Sequence, residues 1–219
     1  YTKPEFQRPT GAPLGLEVMI QRFANPNRFN RLSAAVLPWC GWLAGGLIAA
    51  GLYFALVASP ADYQQGQSVR IMYVHVPAAW MALFVYTSMA ASSAVGLIWK
   101  HPLAHVAAHA AAPIGAGFTL LCLVTGSLWG QPMWGTWWVW DARLTSVLVL
   151  FFLYLGFMSL RTSFDDPVRG ERAAAILALV GFINIPIIKF SVVSWSTLHQ
   201  PASVVRLDGP AIHPSMLAP

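Results

Sequence analysis

The chain has 219 residues, of which 57% are hydrophobic and 10% are charged, with 13 Lys and Arg against 8 Asp and Glu. Soluble domains carry about 25% charged residues, so this composition excludes an ordinary soluble domain and predicts an all-α integral membrane protein. We interpret the basic excess as a topology signal and expect no nucleic-acid binding, and Cys40 and Cys122 lie in apolar runs that imply no disulfide.

Five apolar stretches are long enough to cross a hydrocarbon core of about 30 Å as helices. They predict a bundle of five spans near residues 36–58, 77–99, 105–128, 144–160 and 173–190. Pro77 suits the first turn of the second span, where its missing N–H costs nothing. Pro113 and Pro186 are expected to kink the third and fifth spans, a distortion that neighbouring helices accommodate.

Three regions follow from this pattern. Residues 1–35 form a polar N-terminal arm, in which Leu14 to Phe23 could form a short amphipathic helix. Residues 36–190 form the transmembrane bundle, and residues 191–219 form a C-terminal segment with a histidine loop. The lipid bilayer is therefore the predicted surroundings of most of the chain.

Lys and Arg are distributed unequally between the two sides of this bundle. Nine fall on the side of the N-terminal arm: Lys3, Arg8, Arg22, Arg28, Arg31, Lys100, Arg161, Arg169 and Arg172. Four fall on the other side: Arg70, Arg143, Lys189 and Arg206. The positive-inside rule therefore predicts a cytoplasmic N-terminus. The connector between the third and fourth spans and the residues after 190 then face outward.

That connector holds five of the chain's ten tryptophans within twelve residues. They are Trp129, Trp134, Trp137, Trp138 and Trp140, and we call residues 129–145 the Trp-rich segment. An interfacial aromatic belt places one or two tryptophans at a helix end. The higher density predicts an outer-face, interfacial floor of ring faces for a large, flat, apolar ligand.

The spacing in the Trp-rich segment predicts its local structure. Four side chains fall on one face at i, i+3, i+4 and i+7, which predicts a short interfacial helix: Trp134, Trp137, Trp138 and Asp141. Gly130, Pro132 and Gly135 predict that the first half of the segment is a turn.

Two histidines are placed beside this segment by the topology. His75 lies two residues before the second span, and His199 lies just beyond the fifth. Neutral imidazole is a good ligand for haem iron, and one ring from each side would complete the axial coordination of a porphyrin over Trp rings. A lone histidine at a helix end is more often a cap or an interfacial hydrogen-bonding residue, but the two positions and the Trp cluster together favour ligation.

The remaining polar candidates carry weaker signals. His101, His105 and His109 recur every four residues on the opposite face and could bind a metal or an incoming porphyrin. No Cys, Asp or Glu supplements them, so the sequence favours a structural role over ligation. Asp141, directly before an apolar helix, is expected to be its N-cap.

Three arginines share one expected role. Arg143, Arg70 and Arg206 could each meet a porphyrin carboxylate through a charge-assisted pair, or anchor a lipid headgroup. The sequence does not select among the three.

The run Trp129-Gly130-x-x-x-Trp134-Gly-Thr-Trp137-Trp138-x-Trp140-Asp141-x-Arg143 resembles the WWD signature of haem-handling membrane proteins. Its flanks are most similar to the CcmC family of cytochrome c maturation. The residues from Arg70 to Trp80 resemble the first histidine block of that family, and those from Leu198 to Ser203 resemble the second. The resemblance covers about residues 30 to 205.

The resemblance implies a protein that holds haem b (iron protoporphyrin IX) on the periplasmic face of the bacterial inner membrane. It implies that the Trp-rich segment lies under the porphyrin and that His75 and His199 are the axial ligands. It also implies delivery of the haem to the chaperone CcmE, with an ABC transporter of CcmA and CcmB and the small protein CcmD as partners. The chain has no phosphate-binding Gly-x-x-x-x-Gly-Lys-Ser/Thr loop and no Cys-x-x-Cys-His, so we expect a delivery component and not an enzyme.

Two features depart from the family pattern. The family has six spans, so we expect a sixth helix beyond Pro219, and Ser194 stands where another Trp is expected beside Trp195.

Two other function classes fit this sequence less well. A bis-histidine electron carrier of the b type usually buries its histidines within the bilayer, whereas His75 and His199 are predicted at its boundary. A permease is expected to have ionisable residues inside its spans, and the predicted spans contain only the end-lying Lys189 and His109.

Overall fold

The computed structural model describes residues 26–195 and 197–199, together with Gly209 and Met216. In this part of the chain five helical stretches are long and apolar enough to cross a membrane. The prediction of an all-α, multi-pass membrane protein with five spans is confirmed. The helices are α1 (Pro26–Tyr53, continued by a π-helical turn, Phe54–Ala58), α2 (Val69–Trp99), α3 (Pro102–Trp134), α4 (Ala142–Thr162), α5 (Pro167–Gly181) and α6 (Asn184–Ser194).

The chain divides into two compact units between Leu43 and Ala44, inside α1. The described part of the first unit, residues 26–43, is helical, and its Trp39 and Trp42 side chains are 78% and 82% exposed. Exposed apolar side chains suit a helix in lipid, because hydrocarbon tails are as apolar as the side chains themselves. The amphipathic helix predicted at Leu14 to Phe23 lies outside the described residues.

The second helix starts earlier than predicted. It begins at Val69, so Pro77 lies inside it rather than in its first turn, and His75 lies inside it rather than before it. Hydropathy locates the apolar part of a span, but the backbone continues its helical hydrogen bonds beyond that part. At about 1.5 Å per residue, His75 lies about 9 Å along the axis from the start of α2.

The prediction for the Trp-rich segment was wrong in its secondary structure. Gly130 and Pro132 belong to α3, which runs without interruption through Pro113 to Trp134. Gly135 ends the helix with φ 76°, a left-handed conformation that glycine adopts without strain, and the following residues to Asp141 are not helical. This glycine interrupts the 134, 137, 138, 141 spacing, so the expected helical face does not form.

The prediction that Asp141 caps the fourth span is confirmed, since its Oδ1 accepts the Leu144 amide at 2.7 Å. The fifth span is interrupted rather than simply kinked, between Gly181 and Asn184. Pro186 explains the interruption, because its ring crowds the carbonyl four residues earlier and its nitrogen cannot donate. It falls in the first turn of α6, where a proline is tolerated.

The core of the second unit lies between α2, α3, α4 and α5 and centres on two tyrosines. The rings of Tyr86 and Tyr154 pack edge to face with centroids 5.1 Å apart, and the Tyr154 hydroxyl donates to the carbonyl of Ala82 at 2.8 Å. A side chain at Gly115 would collide with the Tyr154 ring, and one at Gly181 with the Tyr86 hydroxyl. Gly115 therefore lets α3 approach Tyr154 of α4 closely, and Gly181 lets α5 approach Tyr86 of α2.

This packing brings four segments to one end of the bundle. They are the start of α2, the end of α3, the start of α4 and the residues that follow α6. Contacts between them include His75 on α2 with α3 and Trp134 at the end of α3 with His199. The two sequence-predicted ligand histidines therefore lie at the same end as the Trp-rich segment.

Candidate functional site

His75 is held against α3 through one of its ring nitrogens. Its Nδ1 lies 3.0 Å from the carbonyl oxygen of Cys122 and 3.1 Å from Oγ1 of Thr125. The Thr125 hydroxyl donates its own hydrogen bond to the carbonyl of Leu121 at 2.6 Å. Thr125 Oγ1 and the Cys122 carbonyl oxygen, the two atoms that face Nδ1, are therefore both acceptors. Nδ1 therefore carries the proton, and Nε2 keeps the lone pair that a metal ion requires.

His199 is held by Asp141 and Thr197. Its Nδ1 lies 3.4 Å from Oδ2 of Asp141, and its backbone amide donates to Oγ1 of Thr197 at 3.2 Å. The Thr197 hydroxyl in turn donates to the same carboxylate oxygen. A carboxylate at Nδ1 fixes the orientation of an imidazole and leaves Nε2 as the ligating atom, an arrangement common behind metal-bound histidines.

The charge states of this pair suit ligation. Burial raises the pKa of the Asp141 carboxyl, but hydrogen bonds from Thr197 and from the Leu144 amide outweigh burial and hold that pKa below its ordinary value. Burial lowers the pKa of His199, and the neighbouring carboxylate only partly opposes this shift. At neutral pH the carboxylate is ionised and the imidazole is neutral, which is the form that binds metal ions.

The five tryptophans do not form one continuous floor. The Trp134 ring contacts His199 edge to face with centroids 5.0 Å apart, and Trp129 packs in the same way on Trp134 at 5.1 Å. The buried Trp129 indole donates from Nε1 to Oε1 of Gln65 at 2.9 Å. A chain of contacts therefore runs from the loop before α2 to His199.

The other three tryptophans lie apart from that chain of contacts. Trp138 and Trp140 pack on each other with centroids 5.5 Å apart. Trp137 and Trp140 are 59% and 75% exposed, whereas Nε1 of Trp138 is buried and has no hydrogen-bond partner among the described residues.

Two of the three candidate arginines, Arg143 and Arg70, lie among the described residues. Arg143 lies beside Asp141 and close enough to both His75 and His199 for its charge to act on them. The Arg70 guanidinium instead donates to the carbonyl of Ser59 at 3.2 Å. Arg206 lies outside the described residues. Of the two described candidates, Arg143 is therefore the one whose charge acts on both histidines.

The two imidazoles are themselves near enough for a charge on one to act on the other. An open cavity of about 200 Å³ adjoins Asp141 and is lined by that residue with Val139, Thr197 and Leu198.

The histidines near the start of α3, at the other end of that helix, lie apart from this site. The His105 ring packs over Gly96, and His109 is exposed. Within the described part of the chain, no group of three or more His, Cys, Asp and Glu side chains is arranged to hold a metal ion.

Sequence reasoning missed the partners of the two histidines other than Asp141, and it missed Gln65, which accepts from the Trp129 indole. Thr197 carried a signal, because it stands two residues before His199 and a Thr hydroxyl readily accepts a local amide. Gln65, Thr125 and the carbonyl of Cys122 carried none. Their partners are 64, 50 and 47 residues away in sequence.

Fold and site together define a helical, multi-pass membrane protein with a histidine and tryptophan site at one end of its bundle. The family model described as "CcmC: Heme exporter protein C" matches residues 19–219. The chain belongs to this family, and the resemblance found in the sequence is confirmed.

Three relatives, each named Heme exporter protein C, support the assignment. The protein of Bradyrhizobium diazoefficiens is 60% identical over 196 residues, which cover 90% of this chain and 74% of the relative. That of Haemophilus influenzae is 50% identical over 197 residues, covering 90% and 80%. That of Escherichia coli K12 is 47% identical over 200 residues, covering 91% and 80%.

Proposed function

We propose that this protein binds haem b at the His75 and His199 end of its bundle and presents it to the chaperone CcmE during c-type cytochrome biogenesis. The relatives' name, heme exporter, supports the cargo. The observation that carries the proposal is that both histidines engage Nδ1 with protein acceptors and keep Nε2 for a metal. Two neutral imidazoles are a suitable axial pair for haem iron.

The surroundings of the two imidazoles fit a porphyrin. Trp134 supplies an aromatic ring beside His199, and Arg143 supplies a partly buried cation for a propionate carboxylate. When bound, the haem supplies the iron that these ligands hold, and the chain supplies its orientation.

Presentation is favoured over electron transfer by the position of the site. Both histidines lie at the end of the bundle, and the neighbouring Trp137 and Trp140 are mostly exposed. A second protein can therefore reach the porphyrin edge. A b-type electron carrier remains the alternative, since His75 lies in the second turn of α2 and is partly buried.

The distribution of Lys and Arg supports the orientation. Nine of thirteen fall on the predicted side of the N-terminal arm, which supports a cytoplasmic arm and a site on the periplasmic face of the bacterial inner membrane. The proposal includes a complex with CcmA, CcmB and CcmD. CcmA would hydrolyse ATP, because this sequence contains no phosphate loop.

Co-expression with CcmE tests the proposal. Mass spectrometry of CcmE should find covalently bound haem with the parent chain and little or none with His75→Ala or His199→Ala. His109→Ala, an exposed histidine on the other side, is the matched control and should load CcmE like the parent. Equal loading without this protein contradicts the proposal. A haem that stays on the protein and cycles with quinol supports the electron carrier instead.

A further inference from the structure

We propose that Thr125 and Gly126 of α3 are positioning residues that hold the His75 ring so that Nε2 is directed at the ligand. The inference rests on the proposed function, because it takes His75 to be an iron ligand. It concerns α3, a helix that contributes none of the proposed iron ligands. The two residues are adjacent and act on different parts of the same ring.

Gly126 provides the space in which the ring lies. A Cβ at this position would stand 2.9 Å from Cε1 of His75 and 3.4 Å from its Nδ1, and side chains essentially never approach a Cβ as closely as 2.9 Å. The atoms that would have to move belong to the end of a flexible side chain. An alanine here would therefore displace the imidazole while leaving the helix backbone in place.

Thr125 fixes the same ring by hydrogen bonding. Its Oγ1 lies 3.1 Å from Nδ1 of His75, and its own proton is committed to the carbonyl of Leu121. The hydroxyl can therefore only accept from the imidazole, which keeps the proton on Nδ1 and the lone pair on Nε2. The Cys122 carbonyl reinforces this tautomer from one turn away.

A second glycine of α3 provides a control that distinguishes positioning of His75 from a general effect of alanine on the helix. Gly117 lies in the same helix, and a Cβ there would meet no atom within 4 Å. Gly117→Ala therefore makes the same chemical change without touching a ligand. At Thr125, Thr125→Val removes the hydroxyl at nearly constant volume, and Thr125→Ser keeps the hydroxyl and loses only the methyl group.

The test uses the full chain, purified with its haem, and compares ferric electron paramagnetic resonance and haem content. The parent, Gly117→Ala and Thr125→Ser should show the same low-spin signal of a bis-histidine haem. Gly126→Ala should convert much of the haem to a high-spin form and lower its retention about 10- to 100-fold, the usual effect of disturbing groups that orient a ligand. Thr125→Val should change in the same direction by less, because the Cys122 carbonyl remains.

Added imidazole provides a second readout. It should restore the low-spin signal in Gly126→Ala, since a displaced His75 leaves one axial position open. An unchanged spectrum and haem content in Gly126→Ala, with a low-spin parent, overturns the inference alone. A parent without bis-histidine haem overturns the proposed function on which it rests. Should Gly126→Ala fail to insert, equal spectra of Thr125→Val and Thr125→Ser overturn the inference.

Discussion

Replacing Asp141 by Asn and by Ala separates two roles of this carboxylate. Oδ1 caps α4 through the Leu144 amide, while Oδ2 accepts from Thr197 and lies beside Nδ1 of His199. Asn caps helices about as well as Asp, whereas losing a cap to Ala costs about 1 kcal/mol. A hydrogen bond to a charged group contributes about 1.5 to 3 kcal/mol net.

These magnitudes give different expectations for the two variants. Asp141→Ala loses the cap and the charged bond from Thr197, so the free energy of unfolding should fall by about 2.5 to 4 kcal/mol. Asp141→Asn keeps the cap and should lose less. Both variants remove the carboxylate behind His199, so both should lower haem retention about 10- to 100-fold.

Thermal unfolding in detergent, together with the haem spectrum of the same sample, measures both effects. The account expects Asp141→Asn to be more stable than Asp141→Ala and yet similarly impaired in holding haem. Two results would refute the reasoning. One is an Asn variant that retains haem like the parent, and the other is haem loss that follows thermal stability across both variants.

Three further predictions test other parts of the structure. Gln65→Leu removes the acceptor of the buried Trp129 indole N–H and should lower the free energy of unfolding by about 1 to 3 kcal/mol. Gln65→Glu keeps an acceptor and should lose less, so equal melting temperatures for the two variants contradict this prediction. Trp134→Ala should weaken haem retention by about 5- to 150-fold, because aromatic stacking is worth about 1 to 3 kcal/mol per ring. The exposed Trp137→Ala should weaken it by clearly less, and the reverse order in haem content would refute the assignment. In a chain without its native cysteines, Tyr63→Cys should react with an impermeant maleimide in intact cells, and Ser163→Cys should react only after permeabilisation. The opposite pattern contradicts a cytoplasmic N-terminal arm.

The class of fold could be predicted because membrane spans are specified locally. Each span needs about 20 apolar residues, and no contact between distant segments is required to recognise it. The cap at Asp141 was predictable for the same reason, since a cap depends on neighbours within one turn. The family signature was predictable as well, because its tryptophans are close together in the sequence.

The Trp-rich segment shows where local reasoning fails. The spacing of Trp134, Trp137, Trp138 and Asp141 is helical, but one left-handed glycine, Gly135, changes the direction of the chain before that face can form. The orientation of the His75 and His199 rings could not be predicted either. It depends on side chains and carbonyls from other helices, and their placement follows from packing rather than from any sequence pattern.

Electron paramagnetic resonance of the purified ferric protein tests the central claim most directly. The account predicts a low-spin bis-imidazole signal in the parent and in His109→Ala. It predicts that His75→Ala and His199→Ala each convert the signal to high spin or empty the site, and that the double variant holds no haem. An unchanged low-spin signal in the double variant would contradict ligation by His75 and His199.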